Sequence, residues 1–287
     1  MNVPLLVGAL LNGIVTGMIY ALMGIGISLI LGLLNIPNFA HGVLYAFGAY
    51  FLFSAAAGPF GFWAGVLLAA LGVAALGSAI EYSGARRLYG VHPDYILLLT
   101  FGLSLILTEL IVLIWGPVGF TFQPPPLLRG GVNLGVTVYP KYRLTIMVVT
   151  ALLVVTTWLF VERTKYGAII RAGIEDRDMV NALGINIRRV FTVAFAAGTG
   201  LAGLAGALMV PVRGLFPTMG LDILPFAFVV VVLGGLGSLP GAIVGGLVVG
   251  VAQSFMTAIW APGVEISVFT MMALGLLARP QGLLGRR

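Results

Sequence analysis

Few residues in this 287-residue chain have side chains suited to chemistry, and they gather in three places. The first is Asn35, Asn38 and His41, a polar trio around Pro37 and Gly42. An unwound, glycine-flanked stretch of this kind places amide and imidazole groups where a polar solute can meet them at depth in an apolar bundle. A helix-cap cluster at a membrane surface is an equally open reading. The second is Glu109, preceded by Thr100, Ser104 and Thr108 in one apolar run. A carboxylate there is costly and needs an explanation: either it lines a solute path, with Ser104 on a neighbouring turn, or it reaches water at the outer interface. The third is the polar segment 163–189, where Glu175, Asp176 and Asp178 sit among Arg171 and Arg177. That is a mixed-charge surface rather than a polybasic lipid clamp.

Other chemistries find no residues to carry them. There is no cysteine, and His41 and His92 are the only histidines, so no multi-His or Cys-based metal site is expected. The only lysines, Lys141 and Lys165, follow Pro and Thr, so the phosphate loop of an ATPase is missing. No H-E-x-x-H, no G-x-S-x-G elbow and no close carboxylate pair occurs within a span. Gly24-Ile25-Gly26 lacks the third glycine of a dinucleotide site. The sequence therefore argues against an enzyme, and the absence of an Asp/Glu/His relay argues against an ion-coupled carrier.

The elements that must position these residues are set by composition. Sixty per cent of the residues are hydrophobic and 8% charged, with a mean hydropathy of +1.11, whereas soluble domains are about 25% charged. The chain reads as an all-α polytopic membrane protein forming a single transmembrane domain over 1–287. Runs of about 20 apolar residues, the length that crosses roughly 30 Å of hydrocarbon, predict spans near 5–33, 39–57, 61–81, 95–115, 143–162, 190–210, 222–236, 240–258 and 263–278. The span at 222–236 is short and runs into Gly234-Gly235, so eight or nine transmembrane helices are expected. The N-terminus lacks a basic region and a cleavage site, so no removable signal peptide is expected.

Of the 15 basic residues, eleven fall in the loops holding Arg86 and Arg87, in the segment 163–189 and after Arg279; Arg129, Lys141, Arg143 and Arg213 fall on the opposite face. The positive-inside bias makes the richer face cytoplasmic, the C-terminus included. It also accounts for the net charge of +6 without a nucleic-acid partner.

Two loops exceed what connection needs. The outer loop, 116–142, carries Pro124-Pro125-Pro126, a stiff polyproline segment that reads either as a docking surface for an external partner or as a cap over helix ends. In the inner loop, 163–189, Ile170, Ile174, Val180 and Leu183 recur at three- to four-residue spacing, which predicts short amphipathic helices, and Gly184 suits a helix C-terminus. A compact cytoplasmic element of this kind reads as a surface for a protein partner, with a solvated connector as the alternative. Small residues at Ala194, Gly198, Ala202 and Gly206, and at Gly241 with Gly245 and Gly246 with Gly250, form stripes along which helix backbones can approach closely.

Several segments, in order, resemble the permease subunits of branched-chain amino acid ATP-binding cassette importers, which include urea and amide permeases. The signature Leu34-Asn35-Ile36-Pro37-Asn38-Phe39-Ala40-His41-Gly42 continues to Gly48-Ala49-Tyr50, with two extra residues between Asn35 and Phe39. Thr100-Phe101-Gly102-Leu103-Ser104, the pairs Tyr166-Gly167 and Arg171-Ala172 with Asp176, and Ala182-Leu183-Gly184-Ile185-Asn186 match further motifs. So do Gly234-Gly235-Leu236-Gly237-Ser238-Leu239-Pro240-Gly241 and Arg279-Pro280-Gln281-Gly282.

The resemblance implies a type II importer bundle of two permease chains in the bacterial inner membrane. A paralogous second permease, two ATPase subunits and a periplasmic substrate-binding protein would complete it. ATP and magnesium would be bound by the ATPases and no cofactor by this chain. Coupling to the ATPases would fall to Tyr166, Gly167, Arg171, Ala172, Gly173, Glu175, Asp176, Ala182 and Gly184. The resemblance leads to the expectation of an uncharged polar residue, such as Gln, where this chain has Glu109. The competing class is a passive, urea-like channel, which has no need of the 163–189 loop.

Overall fold

The computed structural model describes residues 3–34, 37–89 and 91–285. Eleven helices account for most of them: α1 (Val3–Leu34), α2 (Ala40–Ala56), α3 (Gly61–Ser83), α4 (Pro93–Trp115), α5 (Lys141–Arg163), α6 (Lys165–Glu175), α7 (Arg177–Ala182), α8 (Ile187–Arg213), α9 (Met219–Gly234), α10 (Leu239–Trp260) and α11 (Val264–Ala278). Among the described residues, seven helical stretches are long and apolar enough to cross a membrane. The last of these, Leu239–Ala278, contains both α10 and α11, while α9 is apolar but shorter. Dividing that last stretch and adding α9 gives nine, in line with the expected eight or nine.

The 116–142 loop departs from the all-helical reading. It contains a two-stranded antiparallel hairpin of β1 (Gly131–Asn133) and β2 (Val138–Pro140), with Val132 opposite Tyr139. Gly135 turns the hairpin in a left-handed conformation, φ 82°, where its N–H meets Asn133 Oδ1 at 2.9 Å.

The chain forms two compact units. The first comprises 1–25, 123–155 and 225–287. Here α10 uses two glycine faces. Gly246 and Gly250 meet the backbone of α1 at Gly17 and Gly13, and Gly241 and Gly245 meet α9 at Gly234 and Val230, each so closely that a Cβ would overlap a neighbouring main chain. The tail after α11 folds back on the turn that follows α9. Leu283 N–H donates to Leu233 O at 2.8 Å, and Ser238 Oγ donates to Leu284 O at 2.9 Å. Residue 284 thus meets the residue that precedes α10, so α10 and α11 form an antiparallel hairpin. In the same unit Tyr139 donates to Asn12 Oδ1 at 2.9 Å, tying β2 to α1. Burial pushes the Tyr139 phenol above its ordinary pKa, against the opposing pull of Arg143.

The second unit comprises 26–122 and 156–224, with α8 packed against both α2 and α3. Gly198 faces the α1 backbone at Gly26, Gly203 faces Val73 and Gly48, and Gly206 faces the Tyr45 carbonyl. Thr199 fills the space that a Cβ at Gly77 would need. Close approach on three sides, by the backbone of α1 and α2 and by the Val73 side chain of α3, explains why so many α8 residues are Gly or Ala.

Candidate functional site

The 163–189 segment folds as two short helices, each started by a side chain. Thr164 caps α6 by accepting from Gly167 N–H at 3.1 Å, and Asp176 caps α7 by accepting from Met179 N–H at 2.9 Å. Gly184 closes α7 with φ 81°, and Asn186 caps α8 at Arg189 N–H, 3.3 Å away.

What holds this element in place is an apolar underside. Gly167 lies directly on the backbone of Val161 at the end of α5, leaving no room for a side chain. Ile170, Gly173 and Val180 are buried, and the tip of Ile174 reaches the end of α1 at Gly32. Arg171 turns back onto α5, donating to Val161 O and lying 3.7 Å from Glu162. Arg171 therefore holds the element to its base.

The opposite side is open. Tyr166 is 71% exposed, Met179 60% and Leu183 71%, with Ala172, Glu175, Asp176 and Ala182 exposed beside them. Large apolar side chains left exposed on a charge-rich element are what an interaction surface would need. The nine residues expected to couple thus divide. Tyr166, Ala172, Glu175, Asp176, Ala182 and Gly184 are exposed, whereas Gly167 and Gly173 are buried and Arg171 is half-buried.

The residues expected near a solute path fall elsewhere. Asn35 lies outside the described residues. Asn38 and His41 are buried in the second unit at the start of α2, where Ala40 N–H donates to Asn38 Oδ1 at 3.0 Å. The adjacent Phe39 N–H donates to Thr100 Oγ1 at 3.2 Å. Thr100 lies seven residues past Pro93, about 10 Å along α4, so α2 begins well within the length of α4 rather than level with its end. Ser104 is buried and donates to Phe101 O at 2.7 Å. Glu109 instead lies on the exposed face of α4, with Leu105 and Leu113. The small-residue set Gly198, Ala202, Gly206, Gly241 and Gly245 is buried at the helix crossings described above.

One polar cluster escaped sequence reasoning. Glu81 is the last residue of the expected third span, and it is fully buried and paired with Arg86 at 2.9 Å. Its five-residue spacing to Arg86 was the available signal. The long-range partner Thr192, on α8, had none.

The family model for the branched-chain amino acid transport system permease component matches residues 9–279. This chain belongs to that family. It is 32% identical to the high-affinity branched-chain amino acid transport system permease protein BraD of Pseudomonas aeruginosa, over 96% of this chain and 95% of that one. It is also 32% identical to the permease protein LivH of the corresponding Escherichia coli system, over 96% and 94%. To LivM of the same organism it is 29% identical, over 93% of this chain and 68% of LivM. The permease family is thus similar to this chain along nearly its whole length, and the multi-pass membrane character agrees with the helices. Similarity to two different permeases of one organism shows that the family holds paralogues.

Proposed function

We propose that this chain is the membrane-spanning permease subunit of an ATP-binding cassette importer that carries branched-chain or related amino acids, or similar small polar metabolites, across a bacterial inner membrane. The observation that carries this reading is the α6–α7 element: anchored below by Gly167, Ile170 and Gly173, and exposing Tyr166, Met179 and Leu183 above. Two ATPase subunits dock on this face and bind the ATP and magnesium, since the chain has no phosphate loop of its own. A paralogous permease completes the pore, and a periplasmic binding protein delivers the solute. The positive-inside bias supports a cytoplasmic C-terminus.

The test is affinity purification from gently solubilised membranes, followed by uptake in proteoliposomes. Recovery of ATPase subunits and a second permease, with amino-acid uptake that requires ATP inside the vesicle, is the expected result. A chain that purifies alone and leaks a small solute without ATP would instead be a passive channel.

A further inference from the structure

Three side chains of the second unit, Arg86, Tyr89 and Thr192, converge on one buried carboxylate. Glu81, at the end of α3, has no exposed surface. Arg86, in the 3-10 turn Ala85–Leu88, grips it with two donors: Nε to Oε1 at 3.1 Å and Nη2 to Oε2 at 2.9 Å. Tyr89 donates to Oε1 at 3.0 Å, and Thr192 of α8 donates to Oε2 at 2.8 Å while also meeting Arg86 Nη2. The Arg86 guanidinium lies 4.7 Å from the centre of the Tyr82 ring, and Tyr89 packs edge-on against Phe191 at 5.4 Å. Both carboxylate oxygens are therefore fully used. A fork of this geometry fixes direction as well as distance.

Its position gives the cluster a task beyond holding α3. Helix α8 starts at Ile187, separated from the end of α7 by four residues and directly after its own N-cap Asn186, and Thr192 lies five residues in, about 8 Å along a rigid helix. Past Thr192 the same helix carries Gly198, Gly203 and Gly206 against the backbone of α1 and α2, and Thr199 and Gly203 against Gly77 and Val73 of α3. The hydroxyl of Thr192 has a second acceptor, Arg188 O at 3.0 Å, so the link to Glu81 can be released and remade without stranding its proton.

We propose that Glu81, Arg86 and Thr192 form the joint through which motion of the α6–α7 element is passed to the membrane helices, with Thr192 as a positioning residue for coupled transport. This rests on the reading of α6–α7 as the ATPase dock. A displacement at α7 moves the first turns of α8. While Thr192 is bound to the Glu81–Arg86 pair, α3 follows. Without that bond α8 pivots alone, and ATP turnover no longer drives the bundle.

Thr192→Val keeps the shape of the side chain and leaves the Glu81–Arg86–Tyr89 contacts in place, whereas Thr192→Ser keeps the hydroxyl. Both are compared with the unmodified chain as assembled complexes in proteoliposomes, by recording subunit stoichiometry, ATP hydrolysis and amino-acid uptake together. The expected result is normal assembly for both, with uptake per ATP lowered about fivefold or more in Thr192→Val, the scale of a modest coupling energy, and close to normal in Thr192→Ser. An assembled Thr192→Val complex with an unchanged ratio overturns the joint, and so does a variant that assembles poorly but couples normally once assembled. If the unmodified complex shows no ATP-dependent uptake, the importer reading fails, and the joint falls with it.

Discussion

At Gly206 the missing side chain is a packing requirement: a Cβ there would overlap the Tyr45 carbonyl oxygen and crowd Ala49 N–H. Both neighbours are backbone, so neither can rotate away. Gly206→Leu is expected to lower stability by about 3 kcal/mol, read as a fall in the melting temperature of the detergent-solubilised protein. Gly102, in α4, has nothing within 4 Å of the equivalent position. Gly102→Ala is expected to be neutral or to stabilise by up to about 1 kcal/mol, from helix propensity alone. Equal responses at the two sites would remove the close-packing explanation. The four-residue spacing of Ala194, Gly198, Ala202 and Gly206 was readable in the sequence. Which helix each one meets was not, because that depends on how α8 crosses α2 and α3. The same limit hid the burial of Glu81: its near partner Arg86 lies five residues away, but the third component, Thr192, is 111 residues distant.

The α6–α7 element separates what local pattern can reveal from what it cannot. Apolar spacing, the absence of proline and Gly184 marked two short amphipathic helices, because capping and periodicity are decided within a few residues. The β1–β2 hairpin gave a weaker signal. Its strands are three residues each, and β2 is held by a Tyr139–Asn12 bond across 127 positions. The buried side of α6 also refines how the element is probed. Ala172 is exposed and Gly173 is buried, although they are neighbours in the chain. Ala172→Trp is expected to leave folding intact and to reduce retained ATPase subunits by tenfold or more, a loss of about 1.4 kcal/mol. Gly167→Ala forces α6 off Val161 and is expected to cost about 2 kcal/mol, so it lowers thermal stability as well as ATPase retention. Normal ATPase recovery in an Ala172→Trp chain would take the dock away from this face.

At the scale of the molecule the question is which loops share a side of the membrane, and the absence of cysteine makes it directly measurable. Phe120 and Leu215 form an isolated antiparallel bridge, with mutual N–H to carbonyl distances of 2.8 Å, so the loops after α4 and α8 occupy one face of the second unit. In the first unit the tail bonds to Leu233 and Ser238 put the C-terminus on the same end as the α9–α10 turn. The basic residues then distribute consistently if α9, short as it is, crosses completely. The positive-inside bias then expects Arg213 outside and the tail with Arg279 inside, as it expects of the 163–189 segment. Leu127 is 90% exposed in the 116–142 loop, Leu236 is 65% exposed in the α9–α10 turn, and Ala172 is exposed on α6. Single cysteines at these three positions are to be labelled with a membrane-impermeant thiol reagent on intact cells with a permeable outer barrier. Leu127→Cys is expected to react at once, and Leu236→Cys and Ala172→Cys only after the inner membrane is opened. Immediate labelling of Leu236→Cys with Ala172→Cys still protected would mean that α9 enters and leaves by the same face. The α9–α10 turn and the C-terminus, at the open end of the α10–α11 hairpin, would then lie outside, and the charge argument would fail for the last third of the chain.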